Sequence, residues 1–208
     1  MTSTIVPALK KLCGYEKINV IDVGAARGAF MQELRDIFHP HENITSIGID
    51  PIFEEAFDRY SVFIKGCVSN VVGVVTAQMY IHKDEQANSL SINKSDKGHI
   101  IENTMTVAIL NLNDIIEEEF PTEVIHFIKI DAEGKDLDIV ESLSESTLKR
   151  VKYIALECKI GEPRFEGDRN KVECIRYMDS VGFDVCYVFN ADNNSQLSDV
   201  VFINKEEL

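Results

Sequence analysis

A strand, a turn of small residues and a helix follow one another between residues 18 and 38, and this unit constrains the fold more than any other part of the sequence. Ile18–Val23 is an apolar, β-branched run, which predicts a parallel strand buried on both faces. Phe30 and Leu34 then begin an apolar pattern at helical spacing, which ends at Pro40. The unit predicts an α/β fold built on a parallel sheet.

The turn between this strand and this helix is suited to binding a ligand. Its small residues, Gly24, Ala26 and Gly28, let the backbone turn tightly and let a ligand lie against the peptide groups. Free N–H groups at the start of the helix face that ligand. Asp22 adds a carboxylate at the carboxyl end of the strand, where open parallel sheets bind their ligands.

Two cofactor classes use a turn of this kind. Dinucleotide-binding proteins favour G-x-G-x-x-G/A, and Gly24, Ala26 and Ala29 meet that pattern only with a substitution at the middle glycine. Proteins that bind S-adenosylmethionine (SAM) favour an acidic residue followed by glycines two positions apart, here Asp22, then Gly24 and Gly28 with Ala26 between them. The turn alone does not choose between the two cofactors.

Length and composition narrow the class of protein. The chain has 208 residues, which predicts one domain over residues 1–208, and a net charge of −14 argues against a nucleic-acid substrate. We find neither an apolar run long enough to span a membrane nor a hydrophobic signal core at the N-terminus. The five cysteines are irregularly spaced, which predicts buried thiols in a reducing, cytoplasmic compartment and neither disulfides nor a zinc site.

Alternating strand and helix patterns continue to the end of the sequence. Strands are predicted over residues 44–50, 62–68, 71–81 (antiparallel or at an edge), 104–111, 124–131, 153–159, 183–189 and 200–204. Helices are predicted over residues 53–60, from Asn113, after Gly134, and from an Asp168 cap to Val181, and residues 83–98 read as a loop. No helix separates the last two strands, so they must be antiparallel. A mostly parallel Rossmann-like sheet with an antiparallel C-terminal hairpin is the class I SAM-dependent methyltransferase layout, whereas an NAD domain more often ends in a sixth parallel strand.

Two further stretches extend the predicted cofactor site. Asp50 and Pro51 close the second strand 22 positions after Gly28, where an acid can accept hydrogen bonds from both ribose hydroxyls. Val68 and Ser69 end the third strand, beside the expected position of the adenine ring.

A second dense motif covers residues 129–134. Lys129 and Asp131 lie two positions apart on one predicted strand and therefore face the same way. We expect a structural ion pair between Lys129 and Glu157 on the neighbouring strand. Asp131 and Glu133 lie at the strand's carboxyl end, where they can reach a substrate.

These residues resemble the motifs of the FkbM-type methyltransferases across about residues 20–159. The first motif is Asp22-Val23-Gly24-Ala25 with Gly28, and residues 128–134 are similar to the family's K-I-D-x-E-G signature. Smaller similarities lie at residues 87–90, at residues 110–116 and at Glu157. The chain departs from the family in carrying Asp50-Pro51 for the usual Glu-Pro, and Ala26 where asparagine is common. The resemblance implies SAM-dependent methyl transfer to hydroxyl oxygens, often on sugars or natural-product scaffolds.

An alcohol is a poor nucleophile, so the reaction needs a base within about 3 Å of the acceptor hydroxyl. Asp131 and Glu133 are the first candidates, and His82 is the third, although a solvent-exposed histidine is its simpler interpretation. A Mg²⁺ site built from Asp131, Glu133 and Asn88 is the main variant, and we disfavour it because no third ligand is clear. The alternatives from other classes are a SAM-binding module without catalysis and an NAD-dependent reductase.

Overall fold

The computed structural model describes residues 5–53, 57–71, 73, 75–82, 88–91, 101–161, 165, 169–190 and 197–207. Its strands are β1 (Ile18–Val23), β2 (Ile44–Asp50), β3 (Val62–Lys65), β4 (Cys67–Val68), β5 (Thr76–His82), β6 (Ile101–Leu110), β7 (Ile125–Ile130), β8 (Val151–Lys159), β9 (Phe183–Asn190) and β10 (Leu197–Asn204). Its α-helices are α1 (Val6–Leu9), α2 (Ala29–Ile37), α3 (Leu112–Glu119), α4 (Asp136–Glu141), α5 (Glu145–Leu148) and α6 (Lys171–Ser180).

The central sheet has seven strands in the order β3-β2-β1-β7-β8-β10-β9. β3, β2, β1, β7 and β8 pair in parallel, and β10 is antiparallel to both of its neighbours. The predicted mostly parallel sheet with an antiparallel C-terminal hairpin is confirmed. Because the strand order reverses between β1 and β7, their carboxyl ends form the crevice in which open α/β sheets bind ligands.

Both faces of β1 are buried, as its apolar run predicts. Ile18 and Val20 pack on one side with α1 and α2, and Ile21 and Val23 pack on the other with α3 and α4. The alternation follows from the two-residue period of a strand. The sheet is therefore the middle layer of three, and the start of the binding turn is fixed by buried residues on both sides.

The predicted third strand is divided between two sheets. β3 extends the central sheet, whereas β4 pairs with β6 in a small sheet of order β4-β6-β5. Gly66 separates the two pieces, and a Cβ there would lie 2.7 Å from the Leu110 side chain of β6. β5 pairs antiparallel with β6, in agreement with the sequence.

Two predicted helices differ from the structure. The described part of the predicted helix 53–60 is one turn of 3-10 helix, Phe57–Arg59. The cap of α6 is Asn170, which accepts the N–H groups of Val172 and Glu173 while the Glu173 side chain accepts the N–H of Asn170. The predicted cap, Asp168, lies outside the described residues. Within the described residues, we find no helix long and apolar enough to cross a bilayer.

Candidate functional site

A cavity of about 370 Å³ opens at the carboxyl ends of β1, β2 and β7. The sequence-predicted cofactor and catalytic residues make up much of its wall: Asp22, Gly24, Ala25, Ala26, Asp50, Pro51, Val68, Asp131 and Glu133 all line it. Asn88, Ser89 and Leu90 add a wall from the predicted loop 83–98, of which residues 83–87 and 92–98 lie outside the described part. The structure therefore brings together motifs that are more than 100 residues apart in the chain.

The turn after β1 is held tightly against its neighbours. The N–H groups of Gly24 and Ala25 both donate to the carbonyl of Ile49, at 2.9 and 3.1 Å. Gly24 has a φ of 73°, and a Cβ at this position would lie 2.0 Å from the carbonyl oxygen of Asp131. Glycine is therefore required at residue 24 both by its backbone conformation and by the approach of the Asp131 loop.

Ala26 and Gly28 also adopt left-handed backbone conformations, with φ of 45° and 72°. The conformation is uncommon for alanine, and asparagine, the residue that the family favours here, adopts it more readily. Gly24, Ala25 and Ala26 line the cavity with small residues, and the Arg27 side chain lies beside them at the cavity wall. Gly28 is not part of the described lining.

Asp50 holds the turn as well as lining the cavity. Its Oδ2 accepts the N–H of Ala26 at 2.9 Å, and its Oδ1 accepts the N–H groups of Ile52 and Phe53 at 2.8 and 2.9 Å. Since a carboxylate offers about four acceptor positions, three backbone bonds leave capacity for one further donor. Asp50 therefore connects the β1 turn to the β2 turn.

Asp22, Tyr60, Lys129 and Asp131 form a connected polar group, which we call the buried relay. The Tyr60 hydroxyl donates to Oδ2 of Asp22 at 2.5 Å, and the Lys129 ammonium lies 3.2 Å from Oδ1 of Asp22 and 3.4 Å from Oδ2 of Asp131. The predicted pairing of Lys129 with Glu157 is thus replaced by contacts with Asp22 and Asp131. Asp22 lies on β1, which pairs with β7, and it is opposite Lys129 in that pairing. Its carboxylate can therefore approach Lys129 as closely as a side chain of β8 could.

Opposing effects act on the pKa values of the relay. Burial raises the pKa of Asp22, and the Lys129 charge with the Tyr60 hydrogen bond partly offsets that rise. Burial would lower the pKa of Lys129, but the carboxylates of Asp22 and Asp131 raise it above its ordinary value, so Lys129 stays an ammonium ion. Burial and the Asp22 charge raise the pKa of Tyr60, which stays a hydrogen-bond donor.

The loop after β7 carries the remaining acidic groups. Carboxylate oxygens of Asp131, Glu133 and Glu157 all lie within 4.8 Å of one another, so Glu157 is a third acid beside the two that the sequence indicates. Glu133 has a φ of 47°, a strained value for a glutamate. The Ser89 hydroxyl donates to its carbonyl at 2.7 Å and helps to hold that conformation.

Asp136 lies behind this loop at the start of α4. Its side chain is buried and accepts the N–H of Ala132 at 3.4 Å. Burial first, and then the charges of Asp131 and Glu133, raise the pKa of Asp136 well above its ordinary value.

His82 and Ser69 occupy positions that the sequence did not indicate. His82 is 2% exposed, not solvent-exposed, at the end of β5, and its N–H donates to the Asn88 side chain at 2.8 Å. Ser69 is also buried, and its N–H donates to the carbonyl of Leu110. Neither belongs to the described lining of the cavity, which at this end is formed by Val68 and Met79.

Sequence reasoning missed Tyr60 and the contact between Arg27 and Phe53. Tyr60 packs over Gly48 of β2, where a Cβ would lie 2.6 Å from its ring. The Arg27 guanidinium lies 5.0 Å from the centre of the Phe53 ring at the cavity wall. A glycine inside a predicted buried strand was the available signal for a large side chain packed above it.

Comparison with known proteins places these features in a family. The model of the family described as "Methyltransferase FkbM domain" matches residues 10–185. A search of curated proteins gave no significant match.

The fold also resembles solved structures. The fibrillarin pre-rRNA processing protein of Methanococcus jannaschii is 13% identical with a TM-score of 0.50, over 91% of this chain and 67% of that one. Aeropyrum pernix fibrillarin, with natively bound SAM, is 11% identical with a TM-score of 0.48, over 95% and 74% of the two chains. TrmK of M. capricolum, in complex with S-adenosylhomocysteine, is 11% identical with a TM-score of 0.49, over 99% and 69%. At such identities the likeness concerns the fold alone.

Proposed function

The chain belongs to the FkbM methyltransferase family, whose methyl donor is SAM, and from this premise we propose that it methylates a hydroxyl oxygen of a sugar or another small molecule. The observation that carries the proposal is the position of Asp131. This carboxylate lines the same cavity as the β1 turn and Asp50, and it follows the strand next to β1. A proton acceptor and a nucleotide-binding turn thus share one crevice.

The described residues fit SAM as the cofactor. The backbone of Gly24, Ala25 and Ala26 lines the cavity with no side chain larger than a methyl group, which suits close approach of the cofactor to the turn. The remaining acceptor position of Asp50, next to Pro51, suits one ribose hydroxyl, and not both as the sequence predicts. Val68 and Ile52 supply apolar contacts for an adenine ring. When bound, SAM supplies a methyl group that its sulfonium centre has already activated.

The protein's part in the reaction is to bind and orient the cofactor and the acceptor, and to accept a proton from the acceptor. We assign the proton of the acceptor hydroxyl to Asp131, because Lys129 keeps its own proton and Asp136 is buried outside the described cavity lining. Glu133 is the second candidate, since it also lines the cavity. His82 is buried outside the described cavity wall, which makes it the weakest of the three candidates.

Transfer of labelled methyl groups from SAM to a panel of glycans and small alcohols tests the proposal. Asp131→Asn should lower kcat by about 10²–10⁴-fold, the usual share of general-base catalysis, while S-adenosylhomocysteine affinity changes less than about threefold. Glu133→Gln is the matched carboxylate-to-amide variant in the same loop. Full turnover by Asp131→Asn with loss in Glu133→Gln would reassign the base to Glu133.

The same assay tests two alternatives, a SAM-binding module without catalysis and a metal-dependent methyltransferase. Cofactor binding without methyl transfer to any acceptor would identify a SAM-binding module without catalysis. We propose that no metal is required, so turnover should be the same with and without a chelator. A loss of activity on chelation that added Mg²⁺ restores would instead assign a cation to the acidic loop.

A further inference from the structure

Asp50 has room for one more hydrogen-bond donor, whereas a ribose ring offers two hydroxyls. Its Oδ2 accepts the N–H of Ala26, and its Oδ1 accepts the N–H groups of Ile52 and Phe53. Because a carboxylate accepts about four hydrogen bonds, one position remains. A ribose placed at Asp50 therefore needs a second polar partner on the same side of the cavity.

The two turns on this side of the cavity, residues 24–28 and 51–53, form what we call the ribose rim. Pro51 has no N–H. Apart from Arg27 itself, the other rim residues already donate their N–H groups to the carbonyls of Ile49 and Ala25 or to Asp50: Gly24, Ala25, Ala26, Gly28, Ile52 and Phe53. A rim donor for the second hydroxyl must therefore come from Arg27.

The Arg27 side chain is placed to supply that donor. It is exposed and lines the cavity, and in the described lining from residues 24–30 and 49–53 it is the one polar side chain besides Asp50. Its guanidinium carbon lies over the Phe53 ring, 5.0 Å from the ring centre. A guanidinium contacts a ring through its face and donates hydrogen bonds in its plane, so the contact with Phe53 is compatible with binding a ligand.

Asp50 also ties together the two turns that make this contact. Its Oδ2 holds Ala26, the residue before Arg27, and its Oδ1 holds the N–H of Phe53. The cation and the ring that it contacts are thus attached to the same carboxylate. Arg27 and Asp50 therefore border the same part of the cavity.

We propose that Asp50 and Arg27 divide the ribose of SAM between them, with the carboxylate accepting a hydrogen bond from one hydroxyl and the guanidinium donating to the oxygen of the other. The inference rests on the proposed placement of the ribose at Asp50. It does not depend on the methyl acceptor or on the identity of the base. It makes Arg27 a residue that determines specificity for cofactors with an intact ribose.

Calorimetry with S-adenosylhomocysteine and its 2′-deoxy and 3′-deoxy analogues tests the division. The wild type should bind each analogue about 5–50-fold more weakly than S-adenosylhomocysteine, the scale of a hydrogen bond to a charged group. Arg27→Met should weaken S-adenosylhomocysteine by a similar factor. It should bind one of the analogues within about twofold of the wild type, because the hydroxyl that Arg27 contacts is absent from that analogue.

Arg59→Met is the matched control. The Arg59 guanidinium donates to the carbonyl of Gly28 at 3.2 Å, and Arg59 is not part of the described cavity lining. The substitution therefore removes the same charge beside the same turn. It should change the affinities for all three ligands by one common factor. The same pattern in Arg27→Met would overturn the proposal, because it would show a general effect of the charge or of the turn.

The wild-type titrations separate failure of the inference from failure of the ribose placement. Weaker binding of both analogues by the wild type, with the same discrimination in Arg27→Met, would overturn the role of Arg27 and leave the ribose at Asp50. Equal affinities of the wild type for all three ligands would overturn the placement itself. Melting temperatures of the ligand-free variants check the fold, and the exposed position of Arg27 predicts that Arg27→Met keeps it.

Discussion

At the scale of single residues, Gly24 shows most directly how the sequence sets the geometry of the site. Its φ of 73° excludes most side chains, and the Asp131 carbonyl oxygen occupies the place of a Cβ at 2.0 Å. A substitution here must move the Asp131 loop as well as the turn. Gly24 therefore couples the cofactor turn to the proposed base.

Gly24→Ala should weaken S-adenosylhomocysteine binding by more than about tenfold, lower kcat and reduce the melting temperature. Gly73→Ala is the matched control, because Gly73 has a φ of 78° and a Cβ added there would meet no described atom within 4 Å. Gly73→Ala introduces the strain of a left-handed alanine without the steric clash that an alanine at residue 24 makes with the Asp131 carbonyl oxygen. Calorimetry that gives the two variants equal affinities would contradict the coupling.

Asp50→Ala should weaken S-adenosylhomocysteine binding by about 1.5–3 kcal/mol, the scale of hydrogen bonds to a charged group. It should also lower stability, because the N–H groups of Ala26, Ile52 and Phe53 lose their acceptor. Calorimetry measures the first effect and denaturant unfolding of the ligand-free protein measures the second. Asp36→Ala, at an exposed position on α2, is the control. Unchanged affinity in Asp50→Ala would remove Asp50 from the cofactor site.

At the scale of elements, the β1–β7 pair carries the site and contains a pH-sensitive contact. Nδ1 of His126 accepts the N–H of Asn19 at 3.1 Å, which requires a neutral ring nitrogen. Burial, and then the positive charge of Lys152, lower the pKa of His126 to about 4. The unfolded chain binds this proton near pH 6.5, so the contact contributes stability that is lost as the pH falls from about 6.5 to about 4.

His126→Asn should flatten this pH dependence, because an amide oxygen can replace the acceptor without titrating. The free energy of unfolding should change less steeply with pH between about pH 4 and 6.5 than in the wild type. The two slopes should differ by at most about 1.4 kcal/mol per pH unit, the value for one proton. Denaturant unfolding across that pH range measures both slopes. Identical slopes in the two proteins would show that His126 does not titrate as described.

At the scale of the whole molecule, the sequence predicts the parts that are set by local pattern. The β1 strand, its turn and α2 follow from period and small residues, and the antiparallel β9–β10 hairpin follows from the lack of a helix between them. The position of Asp131 follows because carboxyl ends of parallel strands meet at one edge.

The contacts that depend on three-dimensional packing are not predictable in the same way. Tyr60 reaches Asp22 because Gly48 leaves room above β2, and the His82 N–H finds its acceptor on the side chain of Asn88. Similarly, the partner of Lys129 is decided by which neighbouring strand offers the nearer carboxylate. Such choices are made between strands far apart in sequence, where periodicity carries no information.

The central claim, that the crevice between β1 and β7 binds SAM, is tested most directly by calorimetric titration of the wild-type protein with S-adenosylhomocysteine and with NADH. The account predicts that S-adenosylhomocysteine binds at least about tenfold more tightly, because the turn, Asp50 and the antiparallel end of the sheet all suit that cofactor. Tighter binding of NADH, or no measurable binding of S-adenosylhomocysteine, would contradict it.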